Sequence, residues 1–125
     1  MVNFLIYTTR FYRTKYATAI DSAIRLIKEG GADGVKLEGG VEMSPTIRAI
    51  SNSGIPVIGH IGTTLQRGLG ASSHGDDSEE ADAGILADAN SVQDAGAVAM
   101  VVSSASSQTA ARITNALRIP TIGFG

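Results

Sequence analysis

Lys36 and Glu38 stand two residues apart in an otherwise apolar run, Gly34-Val35-Lys36-Leu37-Glu38. In an extended strand this spacing sends both side chains to one face, about 6 to 7 Å apart. Charges inside an apolar parallel strand cost on the order of several kcal/mol unless they are paired or liganded. The pair therefore either closes on itself as an ion pair or grips a bound ion. His60 follows in Gly59-His60-Ile61-Gly62, where an imidazole can donate, accept or shuttle a proton near neutrality and glycines permit close backbone approach. Ser103 and Ser104 end a third apolar run. No neighbouring base can be named for them from the sequence, so nucleophilic chemistry is not expected there.

Two further clusters read as structural. Gly68-Leu69-Gly70-Ala71-Ser72-Ser73-His74-Gly75 has serine where a dinucleotide-binding turn needs its third glycine, and no strand leads directly into it. Asp76, Asp77, Glu79, Glu80 and Asp82 crowd a helix start, where the helix dipole favours negative charge without any metal.

The elements that must position these groups follow from periodicity. Ile20, Ala23, Ile24 and Ile27 recur at helical spacing and stop at Gly30; a buried strand is expected over Gly34 to Glu38. Ser44 and Pro45 read as a cap and first-turn proline, with Ile47 and Ile50 facing inward and Gly54 ending the helix. A strand from Pro56 to Ile61, a long loop from Arg67 to Glu80, a helix to about Ala95 and a strand from Ala97 to Val102 come next. A helix over Gln108 to Leu117 and a short strand over Thr121 to Phe124 complete the order. The pattern also repeats: Gly31-Ala32-Asp33-Gly34-Val35 resembles Gly96-Ala97-Val98-Ala99-Met100, and Ile55-Pro56-Val57-Ile58-Gly59 resembles Ile119-Pro120-Thr121-Ile122-Gly123. The repeat sets Ser103 in the place of Glu38 and Phe124 in that of His60, which leaves the second unit chemically silent. Continuous apolar strands alternating with helices predict an α/β fold with a parallel sheet, as in a (βα) barrel or a doubly wound sheet, the barrel being preferred. A complete eight-stranded barrel takes about 250 residues, so 125 residues supply about half of one. The edge strands of such a piece invite a partner, either a second copy or complementary barrel chains.

Composition bounds the rest. Ten basic and twelve acidic residues give a net charge of -2, which argues against a nucleic-acid partner but leaves room for a small anion. Apolar residues make up 43% and charged ones 18%, with no stretch long enough to span a bilayer, so no membrane partner is expected. The absence of cysteine removes disulfides, thiolate metal sites and thiol nucleophiles. Phe4, Tyr7, Phe11, Tyr12 and Tyr16 crowd the opening together with Arg10, Arg13 and Lys15. The opening superficially matches an organellar presequence but lacks serine, so residues 1–16 are read as a foreign N-terminal extension and 17–125 as a partial barrel domain. A cytoplasmic protein is expected, with a mitochondrial one as the alternative.

Gly34 to Gly40, Ile55 to Gly62, and Ile113-Thr114 through Ile119-Pro120-Thr121-Ile122-Gly123 resemble the ketopantoate hydroxymethyltransferase family in order and spacing, from about Ala19 to Gly125. The resemblance implies a (βα)8 TIM barrel, part of pantothenate biosynthesis. It implies transfer of a hydroxymethyl group from 5,10-methylenetetrahydrofolate to 3-methyl-2-oxobutanoate, with Mg2+ as cofactor. By the same resemblance Lys36 neutralises the keto acid, Glu38 holds the metal through water, and His60 lines the same pocket, with His60 and Glu38 as catalytic groups. The family's two directly ligating aspartates have no counterpart here, and a glutamate that is the candidate general base falls at Ser103. Thr64-Leu65-Gln66 departs from a threonine-proline-glutamine pattern, and Ala71-Ser72-Ser73 interrupts a glycine and aromatic loop. Two alternatives stand beside this reading: a non-catalytic interaction module of the same family, and a magnesium-dependent keto-acid barrel of the phosphoenolpyruvate mutase and isocitrate lyase type.

Overall fold

The computed structural model describes residues 4–7, 16–62, 79–103 and 105–124. Strands and helices alternate along them: β1 (Phe4–Tyr7), α1 (Tyr16–Lys28), β2 (Gly34–Glu38), α2 (Ser44–Asn52), β3 (Val57–Gly62), α3 (Glu79–Asp94), β4 (Ala99–Ser103), α4 (Ser107–Ala116) and β5 (Thr121–Phe124). A 3-10 turn, Val41–Met43, joins β2 to α2. The long loop with its glycines, His74 and the Thr64 to Gln66 segment lies outside the described residues, as does Ser104.

The helices form where the apolar spacing predicts, with local differences. The buried line of α1 runs through Ala19 and Ala23, with Ile20 and Leu26 packed alongside, so its core face is rotated from the line through Ile24 and Ile27. Arg25 and Lys28 in its last turn suit the negative end of the helix dipole. Ser44 does not cap α2: Met43 holds the cap position without a side-chain bond, and Ser44 Oγ instead hydrogen-bonds Ser91 Oγ on α3. Ser106 does cap α4, its hydroxyl accepting from Thr109 N at 3.1 Å.

All five strands are parallel and lie in the order β1-β2-β3-β4-β5. Each new strand is added on the same side of the last, whereas a doubly wound sheet reverses its direction of growth. The core agrees with this order. Val35 and Leu37, Val57 and Ile61, and Met100 and Val102 are buried with Ala23, Ile50, Val92 and Ile113, one from each of the four helices. One face of the sheet thus carries all four described α-helices, as along a stretch of (βα) barrel wall. Alternation assigns Lys36, Glu38, Ile58, His60, Val101, Ser103 and Ile122 to the other face.

Within the opening, Phe4–Tyr7 enters the sheet as its edge strand, from Phe4 opposite Gly34 to Tyr7 opposite Leu37. Phe-Leu-Ile-Tyr is a run of good strand formers, and the exposed edge of β2 offers it a ladder of peptide groups. No helix among the described residues is long and apolar enough to cross a membrane.

Candidate active site at the strand ends

Parallel strands gather chemistry at their carboxyl ends. Here β2, β3 and β4 end side by side. Glu38, the last residue of β2, lies opposite His60; Lys36 lies opposite Ile58, one step earlier on the same face. Ser103, the last residue of β4, lies opposite Gly62 and so shares that face. Lys36, Glu38 and His60 therefore meet on the side of the sheet away from the helices, and Ser103 joins them. The repeat holds in the register as well: Glu38 pairs with His60 as Ser103 pairs with Phe124.

The backbone around the rim is fixed by close contacts. Gly39 N donates to His60 O at 3.0 Å, which extends the ladder one residue past Glu38. Gly40 then turns the chain against α3, where a Cβ would run into the Asp88 carboxylate; Asp88 Oδ1 accepts from Val41 N at 2.9 Å. The glycines beside His60 serve packing. A Cβ on Gly59 would come within 2.8 Å of Met100 Sδ on the helix-covered face, and Gly62, at φ 125, lies against the backbone of Ser103.

His60 Nε2 and Ser103 Oγ are 2.9 Å apart, a hydrogen bond. His60 Nδ1 is buried and makes no hydrogen bond among the described residues. Burial first, and then the nearby Lys36 ammonium, push the imidazole below its usual pKa, with Glu38 acting in the opposite direction. The result near neutral pH is an uncharged imidazole with one nitrogen engaged and the other buried without a hydrogen bond among the described residues, beside a cation and a carboxylate. Such a set can hold an organic anion on Lys36 and take a proton on His60. The expectation of a silent second unit is corrected here, because Ser103 reaches across from β4 to the histidine of the first unit.

The rim does not make a metal centre by itself. Glu38 is the only carboxylate that the five strands carry, and among the described residues no three histidine, cysteine or acidic side chains stand close enough to share an ion.

Comparison with known proteins places the chain. The family model for ketopantoate hydroxymethyltransferase matches residues 5–125. The chain is 49% identical over 116 residues to the 3-methyl-2-oxobutanoate hydroxymethyltransferase of Moorella thermoacetica, covering 91% of this chain and 43% of that protein. It is 48% identical over 117 residues to the protein of the same name from Geotalea daltonii, with 91% and 43% covered. The Emericella nidulans protein of that name is 45% identical over 116 residues, with 91% and 33% covered. The chain therefore spans between one third and one half of the length of these relatives.

Proposed function

The chain belongs to the ketopantoate hydroxymethyltransferase family, and from that premise we propose that it carries the keto-acid-binding wall of a 3-methyl-2-oxobutanoate hydroxymethyltransferase. The observation that supports this most directly is the meeting of Lys36, Glu38 and His60 at adjacent strand ends on the face opposite the described helices. In this reading the Lys36 ammonium pairs with the carboxylate of 3-methyl-2-oxobutanoate. Neutral His60 accepts the proton from the carbon beside the keto group, and Glu38 stabilises the imidazolium that forms. The resulting carbanion attacks the one-carbon unit of 5,10-methylenetetrahydrofolate. One carbon–carbon bond and one carbon–oxygen bond form at that carbon, water supplying the oxygen; both of its bonds to folate nitrogens break, and the protons given up by the branch carbon and by water end on those two nitrogens.

Mg2+ is the cofactor that the resemblance implies. One strand carboxylate and one imidazole do not fit an ion that takes six oxygen ligands, and no step here runs through it. Glu38 reaching an ion through water is the one contact that this rim could offer. The folate and keto-acid partners, a (βα)8 barrel closed by complementary or identical chains, and a cytoplasmic setting belong to the same reading. A second reading, a non-catalytic module that binds the keto acid, is favoured by Ser103 standing where the family pattern has its candidate base.

Deuterium exchange at the branch carbon of 3-methyl-2-oxobutanoate, followed by NMR with the purified chain, separates the two. Exchange above the buffer rate that is lost in Lys36→Met supports the enzyme. Binding of the acid with exchange at the buffer rate contradicts it and leaves the module.

A further inference from the structure

The hydrogen bond between His60 and Ser103 can be made in two ways, and its surroundings choose between them. Either the imidazole donates from Nε2 to the serine oxygen, or the serine donates and the ring proton sits on Nδ1. Ser103 has a single proton to give, and its Oγ also lies 3.5 Å from Ile61 O, as donor to that carbonyl. A serine that turns its proton toward Ile61 O can only accept from the histidine. The other nitrogen points the same way. Nδ1 is buried without a partner among the described residues, and a buried N–H lacking an acceptor is rarer than a buried lone pair lacking a donor.

We propose that Ser103 is a positioning residue that holds His60 in its Nε2–H tautomer and leaves Nδ1 as the basic nitrogen at the rim. The consequence for chemistry rests on the function proposed above, since it makes Nδ1 the atom that takes the substrate proton. It also removes Ser103 as a nucleophile, because an imidazole that donates to the hydroxyl cannot accept its proton. The second unit of the repeat then contributes an orienting hydroxyl to the histidine of the first.

The test is nitrogen NMR of the full chain labelled with 15N-histidine, in a His74→Gln background that leaves His60 as the single histidine, at a pH where His60 is neutral. The expected spectrum shows a protonated Nε2 and an unprotonated Nδ1. Ser103→Ala is expected to lower the ratio of Nε2–H to Nδ1–H at least about threefold, the scale of one neutral hydrogen bond, and Ser103→Thr to restore it. A predominant Nδ1–H form in the parent chain, or an unchanged ratio in Ser103→Ala, overturns the proposal. If Ser103→Ala does not fold, the parent tautomer and Ser103→Thr still decide. No keto acid enters this measurement, so its failure and a failure of the functional reading are seen separately.

Discussion

His60 on β3 and Ser103 on β4 are joined by a 2.9 Å hydrogen bond although they are not register partners; Gly62, two residues beyond the histidine, stands opposite the serine. The contact is diagonal, and it engages Nε2 while Nδ1 stays buried with no hydrogen-bond partner among the described residues. His60→Gln keeps a polar group of similar reach but has no basic nitrogen. It is expected to slow deuterium exchange at the branch carbon by about 10²- to 10⁴-fold, the range for loss of a general base, while keto-acid binding measured by calorimetry changes little.

Lys36 and Glu38 act on the same imidazole with opposite signs. Lys36→Met removes a positive neighbour and is expected to raise the His60 pKa; Glu38→Gln removes a negative one and is expected to lower it. Histidine NMR titrations of the two variants check both directions. Lys36→Met is also expected to weaken keto-acid binding roughly 10- to 100-fold, the worth of one charge-assisted hydrogen bond.

Because folding depresses the His60 pKa, the unfolded chain binds the proton more tightly than the folded one. The stability that depends on neutral His60 is present above the ordinary imidazole pKa and is lost as pH falls toward the lower folded value. Urea denaturation midpoints are expected to decline across that window, and the decline is expected to be shallower in His60→Gln.

Gly40 packs directly on the Asp88 carboxylate, which in turn accepts from Val41 N. Gly40→Ala forces these groups apart and is expected to destabilise the chain by about 1 to 3 kcal/mol, as overpacking of a close contact does. Urea unfolding monitored by circular dichroism measures this, and changed amide shifts at Glu38 would show the strain reaching the rim.

Much of this was legible from local pattern. β2 ends at Glu38 and β5 spans Thr121–Phe124, as the apolar runs and their glycine and proline borders indicate. Lys36 and Glu38 share a face because strand alternation requires it, and the family resemblance follows from the same segments. What escaped depends on partners distant in the chain. Ser44 has the local signature of a cap, but Ser91 on α3 claims its hydroxyl. Phe4–Tyr7 looks foreign by composition, yet pairing with β2 needs only a short run of strand formers. Ser103 looked idle because the repeat compares it with Glu38, whereas its contact crosses from the second unit to the first.

The central claim is that the strand ends of β2, β3 and β4 form one keto-acid site. Titration of the 15N-labelled chain with 3-methyl-2-oxobutanoate, read in amide spectra, tests it most directly. Saturable shifts centred on Lys36, Glu38, His60 and Ser103, and weakened in Lys36→Met, are the predicted result. Saturable shifts confined to other parts of the chain, or equal affinity in Lys36→Met, would contradict it.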